Sequence, residues 1–281
     1  MIQSFIDSWP LFQNTYITGW CLAGLLALVG VAIVARDQIF LGLAVSQASL
    51  LGVAFGMWLL ATWPHLLTVV ADGEWWLSLS GMAFAMLAAL ATSRARRPGR
   101  DSPEAITGWI YAFAGGLAVL VLSRSPHGLE EIHRLLSSTI IGATPSDVLV
   151  FAALLAATAL AAVRWYEPIT LLVMDAEMAG AVGISVRRWN ICLALWGAII
   201  IGLAMRVSGL LFTFGCLILP PLVAKNSVRE VRSMFWVAPL VAVVTTFCAF
   251  IIANRYDFPP GQVAVALQGG LLTLKWVFRR G

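Results

Sequence analysis

The sequence predicts an all-α, polytopic membrane protein, and two observations carry that reading. Of its 281 residues, 60% are hydrophobic and only 11% charged, with a mean hydropathy of +0.89, a balance far from that of a soluble globular domain. Apolar runs of about twenty residues also recur along the whole chain, the length a helix needs to cross the hydrocarbon core. Only helices and closed barrels satisfy their backbone there, and the short alternating strands of a barrel are absent.

Reading the apolar runs against charged or Pro/Gly punctuation gives nine segments: 16–35, 39–62, 76–92, 106–123, 147–163, 190–205, 208–223, 235–253 and 261–278. This sets the expectation of about 8–9 transmembrane helices in a single domain, 1–281. The first fifteen residues carry no Lys or Arg, and no small-residue cleavage pattern follows, so a removable signal peptide is not expected. The seventh segment, SGLLFTFGCLILPPLVA, contains Gly209, Gly215 and the pair Pro220-Pro221, which predict a broken or partial span.

Orientation follows from the basic residues. With the N-terminus outside and each segment crossing once, fourteen Lys and Arg fall on the cytoplasmic side, among them Arg36, Arg94, Arg164, Arg187, Lys225 and Lys275. Four fall outside: Arg124, Arg134, Arg206 and Arg255. This asymmetry is the positive-inside pattern and predicts an N-out, C-in protein of the cytoplasmic membrane of a prokaryote. The pI near 9.1 therefore reflects orientation and lipid anchoring, with no nucleic-acid partner.

Outside the spans, residues 126–142 place Leu129, Ile132, Leu135 and Leu136 at helical spacing with charges between them, predicting an external amphipathic helix at the membrane surface. Its HGLEEIH stretch is the one metal-ligand candidate, through His127, Glu130, Glu131 and His133. The simpler reading is a solvated helix face. On the cytoplasmic side, residues 174–184 are short, rich in small residues and too polar to span. There Asp175 is placed to cap a short helix, Ala179 lies on its smooth face and Gly183 ends it. Such a helix suits docking in a groove on a soluble partner.

The chain is not expected to be an enzyme. It has no G-x-x-x-x-G-K-[ST] phosphate loop, no H-E-x-x-H, no G-x-S-x-G and no paired carboxylates within the spans. Intramembrane charges, the mark of a proton-coupled transporter, are confined to segment ends at Asp147 and Arg206. The cysteines Cys21, Cys192, Cys216 and Cys248 are dispersed through apolar segments and read as small core residues.

Within the second segment, LGLAVSQASLLGVAFG places Ser46, Gln47 and Ser49 among apolar residues. One reading is interhelical packing, since small polar residues allow close approach and a Gln hydrogen bond across a helix interface contributes about 1 kcal/mol. The other is the lining of a transport pathway by Leu43, Ser46 and Gln47, with Leu43 and Gln47 one helical turn apart.

Five stretches together resemble the membrane permease of zinc and manganese ABC importers. They are LGLAVSQASLLGVAFG, RDSPEAITGWIYAFAGGLAVLVLS, VMDAEMAGAVGIS, RVSGLLFTFGCLILPPLVAKN and YDFPPGQVAVAL. They occur in the family's order and cover most of the chain. The third meets the family's Asp-x-x-x-Ala-x-x-x-Gly spacing with Asp175, Ala179 and Gly183. The resemblance implies a type II ABC importer-like permease, paired with a second copy or a paralogue. It also implies cytoplasmic ATPase subunits that hold ATP and Mg, and an extracytoplasmic substrate-binding protein. The permease itself would bind no cofactor, and its short cytoplasmic helix would couple ATPase closure to the spans. The family's second span carries Gly-Asp-x-x-x-His-x-x-x-Pro-Gly, whose Asp and His are thought to hold the metal. Laid on residues 42–52, those positions are Leu43 and Gln47, and the Pro position is Leu51. Leucine cannot ligate, and a Gln carbonyl is a neutral, weak oxygen ligand. Three readings follow: a metal permease whose ligands lie elsewhere or on a different partner permease, a permease for a metal chelate or other small solute, or a membrane scaffold.

Overall fold

The computed structural model describes residues 2–63, 73–94, 103–123 and 140–279, all helix, turn or connecting segment with no strand among them. The helices among these residues are α1 (Ile2–Val34), α2 (Ile39–Thr62), α3 (Gly73–Arg94), α4 (Pro103–Leu122), α5 (Pro145–Arg164), α6 (Tyr166–Met174), α7 (Ala176–Ala181), α8 (Val186–Lys225), α9 (Val231–Tyr256) and α10 (Pro260–Arg279), with a 3-10 turn at Ile140–Gly142. All nine apolar segments of the sequence are helical. Among the described residues, seven helices are long and apolar enough to cross a membrane. The count is lower because segments 190–205 and 208–223 both lie in α8, and α10 is not among the seven. Most of the amphipathic stretch 126–142, including His127, Glu130, Glu131 and His133, lies outside the described residues.

The chain forms two compact units. One comprises Met1–Ile39, Ser138–Trp189 and Leu211–Gly281; the other comprises Phe40–Ser137 and Asn190–Leu210.

In the first unit α1 is the central helix. Leu22, Leu25, Leu26 and Val31 are fully buried on it. Lipid tails are as apolar as these side chains, so close van der Waals packing rather than water exclusion must hold such helices together. Small residues supply it. The α-carbon of Gly19 faces the ring of Phe250 on α9, that of Gly24 faces Val243 of α9 and Leu155 of α5, and that of Gly30 meets the Leu217 carbonyl of α8. α9 is antiparallel to α1, for Asn254 near its end donates from Nδ2 to Tyr16 Oη at 2.7 Å and to Ser8 Oγ near the start of α1. Rings of Phe5, Trp9, Tyr16, Trp20, Phe247 and Phe250 surround that junction.

Local sequence sets the boundaries. Thr144 and Asp147 form a reciprocal capping box at the start of α5, with Thr144 N donating to Asp147 Oδ2 at 2.9 Å and Asp147 N to Thr144 Oγ1 at 3.3 Å. The acidic residue at this segment end is thus a cap. The turn after α1 holds Asp37 in the left-handed region, with φ 55°.

α8 explains the irregular seventh segment. Its 40 residues would extend about 60 Å as a straight helix. Yet Trp189 at its start meets Trp165, and Lys225 at its end meets Asp37 just after α1, whose neighbour Arg36 reaches α6. Both ends of α8 therefore lie at the same end of the first unit. The chain turns back at Gly209, where φ is 71° and ψ 178°, a conformation essentially restricted to glycine.

In the second unit α2 lies against α3 through glycine. A β-carbon on Gly52 would stand 2.9 Å from the Gly81 α-carbon and still closer to the Ser80 carbonyl oxygen, and one on Gly202 of α8 would stand 2.6 Å from the Met82 α-carbon. Neither position has room for a side chain.

Candidate functional site

Two places in the fold carry the residues singled out by the sequence. The first is the middle of α2, within the second unit. Ser46 and Ser49 are fully buried and Gln47 nearly so, while Leu43, one turn before Gln47, is half-buried. Gln47 faces α4, with its Oε1 3.2 Å from where a Gly115 β-carbon would stand. Ser49 faces α3, with its Oγ 3.1 Å from the equivalent point on Gly81. Successive residues on a helix point about 100° apart, so Gln47 and Ser46 flank Leu43 at about 40° and 60° on either side, while pointing about 100° from each other.

Their hydrogen bonding is incomplete, as it also is at Thr18, Thr246 and the Oε1 of Gln268. Buried hydroxyls on apolar helices commonly donate to a carbonyl one turn back, as Thr158 does to Leu154 at 2.7 Å and Ser208 to Ala204 at 3.0 Å. Ser46 Oγ, Ser49 Oγ and Gln47 Oε1 have no hydrogen-bond partner among the described residues. An unpaired buried polar group costs about 1–3 kcal/mol, and three such atoms fall here within four residues. The bare packing interpretation of this stretch requires a Gln bond across the interface, and Oε1 accepts none. Neutral oxygens aimed among packed helices can receive hydrogen bonds or offer weak ligation, but they supply no charge. Among the described residues no three His, Cys, Asp or Glu side chains gather as a metal would need.

The second place is the α6–α7 hairpin, within the first unit. Asp175 caps α7 as its residue type predicts, Oδ1 accepting from Glu177 N at 3.0 Å and Met178 N at 2.9 Å. Gly183 follows α7 with φ 89°, the left-handed conformation that glycine adopts without a steric penalty. Ala179 is fully buried, whereas Met174, Met178 and Val182 are all more than half exposed. Met178 and Val182 are one turn apart, so α7 turns apolar side chains outward. Arg187 and Arg188 stand exposed just beyond them.

Three contacts root this hairpin. Arg36 Nη2 donates to the Leu172 carbonyl at 3.3 Å, the Arg232 guanidinium lies 5.3 Å from the centre of the Tyr166 ring, and Trp165 meets Trp189 edge to face at 6.2 Å. Sequence reasoning took Arg36 and Arg232 as orientation signals only. It also passed over Gln268 of α10, which is fully buried and donates from Nε2 to Thr245 Oγ1 at 3.2 Å and Cys216 Sγ at 3.4 Å. A Gln in an apolar run was the available signal.

Residues 8–279 match the model of a family described as the ABC 3 transport family. The chain belongs to this family. Its curated relatives include a "Probable metal transport system membrane protein" of Thermotoga maritima, 26% identical and covering 92% of this chain and 86% of that one. The "High-affinity zinc uptake system membrane protein ZnuB" of Haemophilus influenzae is 22% identical over 94% and 95% of the two chains. The "Manganese transport system membrane protein MntC" of Halalkalibacterium halodurans is 20% identical over 93% and 85%. In fold, the chain is similar to "PsaBC from Streptococcus pneumoniae in complex with Fab", with a TM-score of 0.80, 19% identity and 98% and 95% coverage. A structure titled "An inward-facing conformation of a putative metal-chelate type ABC transporter" gives a TM-score of 0.73 at 15% identity. The ABC 3 chain thus has the polytopic, all-helical permease fold that its sequence predicts.

Proposed function

We propose that this ABC 3 chain is the permease subunit of an importer of divalent metal, of zinc or manganese type, driven by separate cytoplasmic ATPase subunits. Family membership over residues 8–279 and relatives named for zinc and manganese transport support the class. The observation that carries the mechanism is α7: a helix capped by Asp175, closed by Gly183, buried on Ala179 and apolar on its exposed side at Met178 and Val182. A short rigid helix seated by its inner face and unpartnered on its outer one is suited to a groove on an ATPase. ATP and Mg belong to that partner. An extracytoplasmic binding protein delivers the metal, and a second permease, identical or paralogous, completes the pathway.

The orientation is N-out and C-in. Arg36, Arg232 and Lys225 all gather at the end of the first unit that holds α6 and α7, and a basic end is retained in the cytoplasm. Cargo passes Leu43, Ser46 and Gln47, where the unpaired oxygens of α2 accept hydrogen bonds from its hydration water or ligate it weakly without binding it tightly.

A second reading is favoured by that same chemistry. Leucine and a neutral amide at the family's ligand positions suit a metal chelate or other small solute, or the ligand-poor half of a paired metal permease. Isolation of the complex from its native membrane tests the main proposal. ATPase subunits should co-purify, and in proteoliposomes their ATP hydrolysis should drive uptake of zinc or manganese. A chain that purifies alone would remove the importer reading, and an ATPase-bearing complex that takes up neither metal would favour the second cargo.

A further inference from the structure

The hairpin is held by side chains from helices distant in sequence, and those contacts have a consequence for coupling. α6 follows α5 directly at Trp165 and precedes the Asp175 cap. Along the chain, force applied to α7 can reach α5 through α6, or α8 through the 182–185 turn. Arg36 and Arg232 add two routes. Arg36 projects from the turn that ends α1 and donates to Leu172 O, three residues before Asp175. Arg232 lies in the first turn of α9 and covers the ring of Tyr166, the first residue of α6. α1 and α9 thus hold opposite ends of the same nine-residue helix.

The two helices are themselves joined along their length. Phe250 and Val243 of α9 sit against Gly19 and Gly24 of α1, and Asn254 ties Ser8 and Tyr16 at the far end. The turn after α1 also reaches α8, since Lys225 Nζ donates to Asp37 Oδ1 at 2.6 Å and to Val34 O at 3.4 Å. Asp37 and Lys225 are well exposed, and an exposed pair contributes little. A guanidinium bonded to a helix-terminal carbonyl and one stacked on an aromatic ring are the firmer contacts.

We infer that Arg36 and Arg232 are positioning residues for energy coupling, fixing α6 between α1 and α9 so that displacement of α7 moves that helix pair as a body. This rests on the proposal that α7 docks an ATPase. Neither arginine touches cargo or nucleotide; each acts through the placement of α6.

The test uses the intact complex, permease with its ATPase and binding protein, in proteoliposomes supplied with zinc or manganese, and reads metal imported per ATP hydrolysed. Arg36→Gln, Arg232→Ala and Tyr166→Leu should each lower that ratio at least fivefold while the ATPase stays bound. Arg232→Lys and Tyr166→Phe, which keep a cation over a ring, should hold it within twofold of the parent. A purely structural role would instead lower yield and melting temperature and leave the ratio of the surviving complexes unchanged, and that result overturns the inference. Met178→Asp, on the exposed side of α7, separates the two claims. If it leaves the ATPase bound, the docking reading fails and the inference with it. If it releases the ATPase while the arginine variants couple normally, only the inference fails.

Discussion

The side-chain carbonyl of Gln47 lies over Gly115: a β-carbon at that glycine would stand 3.2 Å from Oε1. The amide is thereby held between α2 and α4 without an N–H or O–H to bond to. Stability and transport should respond in opposite directions to its removal. Gln47→Leu deletes an acceptor whose unpaired burial costs about 1–3 kcal/mol, so the thermal midpoint should rise or hold. Uptake should fall about tenfold. Unimpaired uptake would exclude Gln47 from the pathway.

Gly52 makes a contrasting prediction, because its neighbours are backbone. Gly52→Val drives side-chain atoms into Ser80 and Gly81 of α3, and overpacking of this kind costs about 1–3 kcal/mol. Thermal unfolding in detergent should show that loss. Gly116→Ala, at a glycine whose β-carbon position is open, is the matched control and should be neutral.

At the hairpin, Asp175→Ala removes both hydrogen bonds that start α7, a cap worth about 1 kcal/mol. Gly183→Val places a branched side chain at φ 89°, where strain costs about 1–3 kcal/mol. Both variants should keep the transmembrane fold, as judged by circular dichroism, and hydrolyse ATP with little transport. Coupling like that of the parent in both would exclude α7 as the coupling element.

Gly209→Ala tests the reversal of α8. With ψ at 178°, φ at 71° is tolerable for glycine alone. The variant should either lose stability by about 1–3 kcal/mol or straighten the break. Cysteines introduced at Trp189 and Lys225 and labelled from one side of the membrane would distinguish these outcomes, since both positions should label together while the reversal persists.

The sequence made legible whatever depends on local residue type. Apolar runs located every span, and the Asp175 and Gly183 ends of α7 followed from capping rules that act within a few residues. Gly209 and the two prolines marked α8 as irregular. That both ends of α8 lie together was not legible in the segment itself, because it depends on Trp165, Asp37 and Arg36, which are far away in the chain. The basic-residue balance anticipated it only indirectly, by requiring Lys225 on the same side as Arg187.

Gln47 shows the same division. Its polarity in an apolar run was visible at once, but whether Oε1 finds a donor was not. That depends on the rotation of α2 against α4. Arg36 and Arg232 were hidden for a different reason: a basic residue at a span end always satisfies the orientation rule, so nothing in the sequence distinguishes an anchor from a side chain gripping α6. Gln268 carried the same signal as Gln47; its Nε2 bonds Thr245 and Cys216, while its Oε1, like that of Gln47, finds no donor among the described residues.

The central claim is that this ABC 3 permease moves a divalent metal past the neutral face of α2. ATP-driven uptake of zinc and manganese by the reconstituted complex tests it most directly, with a metal chelate offered in parallel. The account predicts saturable accumulation of the free ion that needs ATP and falls about tenfold in Gln47→Leu. Accumulation of the chelate alone, or of neither while ATP is hydrolysed at the normal rate, would contradict it.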